Sequence, residues 1–222
     1  GYRHTLALKT DSTLWVWGSH DGYYGGLDPG NNKIPRQIGT DNNWVSIASG
    51  NFHSLAIKSD GTLWSWGWNY YGQVGAFGEY VNIPSKVDAA TNWRFVSAGG
   101  LFSIAQKTDS TIWTWGYNLH GQLGDGTNTN HYIPAKIGGA AKWQQISAGG
   151  YHSLALESDS TLKAWGDNTA GGLGDGSSID KNTPTLVLCE TPLPIILTSF
   201  TAQKKDGKVL LAWQTATELN SK

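Results

Sequence analysis

Histidine has the most versatile chemistry in this chain, because its imidazole can bind a metal or act as an acid or base near neutral pH. Three of the six histidines, His4, His53 and His152, occupy one place in a repeated stretch, and Phe102 fills that place in another copy. A residue that recurs in the repeats, and that phenylalanine can replace, is typical of packing or of hydrogen bonding to buried backbone. We therefore interpret these histidines as structural.

Acidic and amide side chains alternate in two related loops, LGDGTNTN at 123–130 and LGDGSSID at 173–180. Oxygen ligands of this kind suit calcium, but the calcium-loop template needs acidic or amide groups at its first, third and fifth positions and Gly at the sixth. In the first loop Thr127 and Thr129 occupy the third and fifth positions, and Asn130 occupies the sixth. The loops are predicted to be polar turns, and no metal site is expected.

Motifs of nucleophilic or hydrolytic catalysis do not occur in the sequence. There is no G-x-S-x-G elbow and no H-E-x-x-H pair, and no pair of carboxylates stands outside the repeat pattern. We therefore predict neither an enzyme nor a bound cofactor.

The chemistry that remains is that of aromatic rings, which anchor many protein interfaces. A long loop follows each copy of the repeated stretch, and the loops differ mainly in their aromatic residues. Repeat proteins often place such loops on a single binding face. About half of the rings are expected to pack between neighbouring repeats instead. The residues predicted to contact a partner are Tyr23, Tyr24, Trp68, Tyr70, Tyr71, Phe77, Tyr80, His131 and Tyr132.

The repeated stretch is HSLAIKSDGTLWSWG, from His53 to Gly67, and its copies start at residues 4, 53, 102 and 152. Apolar residues alternate on either side of Asp60-Gly61, which predicts strand, turn and strand. Asp-Gly favours a two-residue turn with both residues at positive φ, and the Asp-Ser of the other copies predicts a different turn there. A Trp-led run precedes each later copy, and a Pro-containing run follows every copy. The pattern therefore predicts about four short strands per fifty residues, as in a β-propeller blade.

Other recurring residues are also interpreted as structural. Stacked blades need a bulky side chain at each interface, which favours tryptophan, and the glycine that ends each copy is grouped with it. These residues are Trp17, Trp66, Trp115, Trp165, Gly18, Gly67, Gly116 and Gly166.

The period divides the chain into units, a linker and a tail. The first unit lacks the Trp-led strand, so we expect the native N-terminus to lie upstream. The tail contains two alternating runs and predicts a hairpin that opens a second, incomplete β domain, because two strands alone are marginally stable. The boundaries are 1–38, 39–87, 88–137 and 138–188 for the repeats, 189–194 for the linker and 195–222 for the tail.

Composition excludes several classes of protein. Glycine (29) and tryptophan (12) are frequent and methionine is absent, which favours aromatic-packed sheets over a helical solenoid. A net charge of -1 without a run of Lys or Arg gives no attraction for nucleic acid. No apolar run is long enough for a transmembrane helix. Cys189 is the single cysteine, which leaves the redox compartment open.

The pattern W-x-x-I-S-A-G-G-x-H-S-L-A-L-x-S-D-S-T-L-x-x-W-G, followed by GQLGDG at 121–126 and a proline, resembles the regulator of chromosome condensation repeat. The resemblance covers residues 1 to about 188. It implies an all-β fold, namely a propeller of seven blades. About four of these blades are then present, and roughly three lie outside this chain. The tail from Leu193 resembles the fibronectin-like β-sandwich segment that often precedes the sorting domain in proteins of Bacteroidetes exported by type IX secretion. That second resemblance implies a secreted or cell-surface protein.

Three functions are compatible with these features. The first is a non-enzymatic scaffold that recognises a protein or glycan through its variable loops. The second is a guanine-nucleotide exchange factor, as in the eukaryotic chromatin-bound family member, although no basic tail for DNA is present. The third is light sensing, because GYRHT at 1–5 is similar to a motif of the plant ultraviolet-B photoreceptor. We assign the tryptophan position of that motif to Tyr2, Phe52, Leu101 and Tyr151, so the tryptophan cluster of the photoreceptor is missing.

Overall fold

Antiparallel strands form the described parts of the chain. The computed structural model describes residues 1–20, 30–188, 197–205 and 208–215, with side-chain surroundings for 1–18 and 33–188. These residues include no helix, and hence none that could cross a membrane. The chain divides into two compact units, Gly1–Val187 and Leu188–Lys222.

The first unit contains four sheets, which we call blades 1 to 4 in chain order. Blade 1 has three described strands, and blades 2, 3 and 4 each have four, paired in sequential order. Blade 1 consists of β1 (His4–Leu8), β2 (Leu14–His20) and β3 (Gly30–Gln37). Blade 2 consists of β4 (Trp44–Ser49), β5 (His53–Lys58), β6 (Leu63–Trp68) and β7 (Tyr80–Lys86). Blades 3 and 4 consist of β8 (Trp93–Ala98), β9 (Phe102–Lys107), β10 (Ile112–Gly116) and β11 (His131–Ile137), and of β12 (Trp143–Ala148), β13 (His152–Glu157), β14 (Leu162–Gly166) and β15 (Lys181–Leu186).

The second unit contains an antiparallel hairpin of β16 (Leu197–Lys205) and β17 (Lys208–Thr215). The alternating runs of the tail predicted strands at these places. The linker at 189–194 lies outside the described residues. The fibronectin-like character of the tail stays a prediction.

The turn between the two central strands is the same in all four blades, which corrects the sequence-based expectation. In blade 2 the amide of Gly61 donates to the carbonyl of Lys58 at 2.9 Å, and Gly61 has a φ of 74° whereas Asp60 is not at positive φ. The turn is therefore a three-residue loop whose last residue is left-handed. Both the two-residue turn and the expected difference in the other copies are wrong. Equivalent left-handed positions are filled by Ser12 (61°), Ser110 (66°) and Ser160 (69°).

The aspartate of this turn has a local role. Asp60 Oδ1 accepts hydrogen bonds from the amide of Thr62 at 3.0 Å and from its hydroxyl at 2.6 Å. These bonds lower the pKa of Asp60, because they stabilise the carboxylate form. The side chain thus closes the loop and explains why aspartate recurs there.

The hydrophobic core lies between successive blades, and two tryptophans fill each interface. Leu14 and Val16 of blade 1 pack with Trp44 and Trp66 of blade 2. Trp17 is only half-buried, because the described residues include no sheet before blade 1. The fully buried partners at the later interfaces are Trp93 with Trp115 and Trp143 with Trp165.

Gly61→Ser is expected to destabilise the protein, although three copies carry serine at this position. A Cβ on Gly61 would lie 2.1 Å from the carbonyl oxygen of Thr91, so the adjoining backbone must move. Overpacking of this kind costs about 1–3 kcal/mol. The matched change Ser110→Gly should alter the free energy of unfolding by less than about 1 kcal/mol. Urea denaturation measures both variants, and a Gly61→Ser protein as stable as wild type would contradict the close approach.

Candidate binding surface

A chain of aromatic rings crosses all four blades. It begins with Tyr2 against Phe52, with ring centroids 6.2 Å apart, and continues from Phe52 to Trp68 at 5.6 Å. Tyr71 contacts Trp68 at 5.6 Å and Tyr117 of blade 3 at 4.9 Å. We call this surface the aromatic belt, and its members are Tyr2, Phe52, Trp68, Tyr70, Tyr71, Tyr117, His120 and Tyr151.

The strand topology explains why these rings meet. Phe52 and Tyr151 stand directly before β5 and β13, whereas Trp68 ends β6 and Tyr117 directly follows β10. Because paired strands are antiparallel, the start of one lies beside the end of the other. Stacking of the blades then places these positions in a row.

The loop after β6 is folded around the buried side chain of Asn69. Its Oδ1 accepts the amide of Val74 at 2.8 Å, and its Nδ2 donates to the carbonyls of Ala76 at 2.6 Å and Gly78 at 2.8 Å. The amide of Asn69 donates to the carbonyl of Glu79 at 2.8 Å. The loop that carries Tyr70, Tyr71 and Phe77 is therefore held from within.

The same device recurs in the next two blades. Asn118 and Asn168 are buried and bind their own loops, accepting from the amides of Leu123 and Leu173. Sequence reasoning missed these asparagines, although a Gly-x-Asn pattern at 67–69, 116–118 and 166–168 carries the signal.

A cavity of about 370 Å³ opens beside the belt, between the blade 2 loop and blade 3. Phe77 and Tyr132 stack across the blades with centroids 6.4 Å apart and planes inclined by 12°. The hydroxyl of Tyr132 lies 3.5 Å from the carbonyl oxygen of Tyr70, to which it donates. We call this cavity the aromatic pocket, and it is lined by Asn69, Tyr70, Tyr71, Phe77, Gly78, Glu79, Asn130 and Tyr132.

The structure brings together five of the predicted contact residues. Trp68 and Tyr71 are half-buried in the belt. Phe77 (82% exposed), Tyr70 (55%) and Tyr132 (43%) present more of their surface to solvent.

The other predicted contact residues lie elsewhere or outside the described part. Tyr80 is exposed on β7, where it pairs with Trp68 in the strand register. His131 faces its own blade, since its Nε2 lies 3.0 Å from Oδ2 of Asp125. Tyr23 and Tyr24 lie outside the described residues.

The belt also contains residues that were not among the predicted contact residues, namely Tyr2, Phe52, Tyr117, His120 and Tyr151. For Phe52, Tyr117 and Tyr151 the signal was an aromatic residue directly before the recurring histidine or directly after the recurring glycine.

The strand register also corrects an alignment. His4 pairs with Gly18 and His53 with Gly67, so Arg3 is the equivalent of Phe52. The assignment of Tyr2 to the same position as Phe52, Leu101 and Tyr151 is therefore wrong by one residue.

The recurring histidines lie between blades. His53 Nε2 is 2.9 Å from the hydroxyl of Ser103 in the next blade, and that hydroxyl donates to the carbonyl of Gln73 at 2.7 Å. Since the serine proton is used there, the imidazole donates through Nε2 to the serine oxygen. His4 Nε2 likewise lies 2.9 Å from the hydroxyl of Ser54 in the next blade. Burial, and secondarily the nearby His4, lowers the pKa of His53 to about 3.

Two copies depart from this arrangement. Phe102 is fully buried at the blade 3 position, and Ser153 of blade 4 donates to the carbonyl of Gln122 at 2.9 Å. His152 in blade 4 is half-buried.

The glycine that ends each copy allows a close backbone approach. Gly67 has a φ of 114°, and a Cβ there would lie 2.5 Å from the carbonyl oxygen of Phe52. Any other residue would combine an unfavourable φ with a clash. Equivalent φ values are found at Gly18 (112°), Gly116 (108°) and Gly166 (108°).

One cluster in the described residues has side chains that could hold a metal. His120, Asp167 and Asp180 each offer a ligand atom, and these atoms lie within 4.8 Å of one another. His120 Nδ1 and Asp180 Oδ2 already form a 2.9 Å contact between blades 3 and 4. The cluster therefore acts as an inter-blade polar link at the end of the belt.

Comparison with known proteins identifies the repeat. The profile described as regulator of chromosome condensation (RCC1) repeat matches residues 11–57, 60–106 and 109–156, and a second profile with that description matches 44–73 and 143–171. The chain belongs to the RCC1 repeat family. A search of curated proteins returned no match.

Solved structures share the RCC1-type propeller fold. Human WBSCR16 superposes with a TM-score of 0.76 at 24% identity, covering 90% of this chain and 53% of that protein. Yeast RCC1 (Prp20), seen with Kap60 bound, gives 0.76 at 21% identity over 98% and 53%. Prp20p from Saccharomyces cerevisiae, described with its binding to Gsp1p and histones, gives 0.75 at 23% over 86% and 50%. This chain thus spans about half the length of these proteins.

His53→Phe is expected to reduce the loss of stability in acid. The unfolded histidine has a pKa near 6.5 and the folded one about 3, so between these values the unfolded chain binds more protons. The free energy of unfolding therefore falls as pH decreases through this window, by up to about 1.4 kcal/mol per pH unit. Phenylalanine, as in Phe102, removes this contribution.

Urea unfolding at several pH values between about 7 and 4 measures this slope. Ser103→Ala serves as the control, because it leaves the imidazole buried and should keep most of the slope. Parallel stability curves for His53→Phe and wild type would show that His53 does not titrate as its burial indicates.

Proposed function

We propose that this RCC1-repeat chain is a non-enzymatic scaffold that binds a polypeptide partner through the aromatic belt and the adjoining aromatic pocket. The observation that carries the proposal is the continuity of aromatic contacts across four blades. Tyrosine and tryptophan dominate the energetics of protein interfaces, because they bury a large area with few rotatable bonds.

The shape of the surface supports a polypeptide rather than a glycan. Several neighbouring belt rings meet edge to face, at angles such as 77° for Tyr2 and Phe52 and 85° for Phe52 and Trp68, whereas Trp68 and Tyr70 are stacked at 15°. Such rings form an extended track that combines apolar area with tyrosine hydroxyls, and side chains of this kind are enriched at protein interfaces. Proteins of the same fold also bind proteins, as Prp20 binds Kap60.

Rigidity of the scaffold favours binding as well. The Asn69 hydrogen bonds fix the loop before a partner arrives, so less conformational entropy is lost on association. Rigid scaffolds that carry variable loops commonly place their binding residues on those loops.

We also propose that the chain works outside the cell or at its surface, after type IX secretion. The support is the resemblance of the tail from Leu193 to the segment that precedes sorting domains of exported proteins. Fractionation of cells that express the full open reading frame tests this location, and retention in the cytoplasm would contradict it.

Tyr70→Ala is expected to weaken partner binding by about 30-fold, the loss typical of one interface anchor. The probes are peptides selected from a random phage-displayed library on the immobilised chain. Because Tyr70 is 55% exposed, the melting temperature should change little. Phe95→Ala is the matched control, since Phe95 is 44% exposed on β8 and lies outside the belt.

Trp66→Ala should behave differently, because Trp66 is fully buried between blades. It is expected to lower folding stability by about 3–5 kcal/mol. If Tyr70→Ala and Tyr71→Ala lower the melting temperature and leave peptide binding unchanged, the rings are packing residues and the site is wrong. A glycan array that yields a Tyr70-dependent ligand when no peptide is selected would replace the polypeptide partner with a carbohydrate.

A further inference from the structure

We propose that the aromatic pocket accepts a basic side chain, the ammonium of lysine or the guanidinium of arginine, from the polypeptide partner. This inference rests on the proposed function and adds the chemistry of the group that the partner must present.

The walls of the pocket are aromatic and differ in orientation. Tyr70 and Tyr71 stand at 88° to each other with centroids 5.0 Å apart, while Phe77 and Tyr132 are nearly parallel. Aromatic faces attract cations, and cavities walled by several rings recognise ammonium groups. The volume of 370 Å³ corresponds to about twelve water molecules, which leaves room for an alkylammonium chain.

The charge of the pocket is complementary to a cation. Among the described residues that line the pocket, Glu79 is the only one with a formal charge, and none is Lys, Arg or His. Among the described residues no cation pairs with the Glu79 carboxylate, and the neighbouring His131 is engaged by Asp125. The backbone at Glu79 is held in place, since its carbonyl accepts the amide of Asn69.

The chain uses the same chemistry internally. The ammonium of Lys58 lies 4.7 Å from the ring centroid of Trp44 and 4.0 Å from that of Trp64, and it contacts Asp41 at 2.8 Å. Two rings and a carboxylate thus hold one ammonium group inside the fold. The aromatic pocket repeats the rings and the carboxylate, and the described residues that line it include no cation, so a partner can supply the matching one.

The test is an NMR titration of the ¹⁵N-labelled full chain with the peptide acetyl-Gly-Lys-Gly-amide and with its Nε-acetylated form. A contact of this size is expected to have a Kd of about 1 mM. The lysine peptide should shift the amide signals of Gly78, Glu79 and Tyr132. Acetylation of the lysine, which removes its charge, should weaken binding by about tenfold.

Two variants assign the contact. Glu79→Gln and Phe77→Ala should each weaken binding by about five- to thirtyfold. Glu157→Gln on blade 4 and Phe95→Ala on blade 3 are the matched controls and should leave it unchanged. Rising salt should also weaken binding, because an exposed charge pair is screened.

Equal affinity for the acetylated peptide, an unaltered affinity of Glu79→Gln, or no shifts at about 10 mM peptide would overturn the proposal. Failure of the cation site can be distinguished from failure of the proposed scaffold function. Suppose that binding of the phage-selected peptides requires Tyr70 but is unchanged by Glu79→Gln and by lysine acetylation. The proposed scaffold function would then hold, and the cation site would be wrong. Peptides whose affinity is unchanged by Tyr70→Ala would contradict both the scaffold function and the cation site.

Discussion

Burial of two tryptophans at each blade interface is the interaction on which the rest of the structure depends. A single repeat unit cannot bury its apolar face alone, so each blade is stable only against a neighbour. Trp44 and Trp66 cover that face for blades 1 and 2, and the same pairs recur along the array. The hydrogen bond from His53 to Ser103 adds orientation to this packing, because it forms only when the blades are in one register.

The hydrogen bonds inside each loop leave the exposed residues of that loop free to vary. Asn69 satisfies the backbone of its loop, so the identities of Tyr70 and Phe77 are not needed to hold the loop in shape. The same framework around Asn118 and Asn168 carries different side chains at its surface. Stability and the proposed recognition therefore depend on different residues of one repeat.

Local patterns allowed the strands and the repeat to be predicted, because period-two alternation and a fixed spacing are properties of the chain itself. The turn at Gly61 was mispredicted, since its type depends on the pairing of Lys58 with Thr62 across the hairpin, which the Asp-Gly dipeptide does not specify. The pocket was predicted only in part. Contact between Phe77 and Tyr132 arises from the stacking of two blades, and no local pattern encodes that distance.

Electrostatics limits how the proposed binding surface, the aromatic belt with the aromatic pocket, can select a partner. With a formal net charge of -1 the chain has almost no long-range attraction for a charged molecule, so steering contributes little to association. Selection must come at contact distance, from ring faces and individual charges in partly desolvated surroundings. The internal Lys58 site uses one carboxylate and two rings to hold a lysine of which only 8% is exposed. An external surface built from the same groups can therefore discriminate by charge without the protein itself being highly charged.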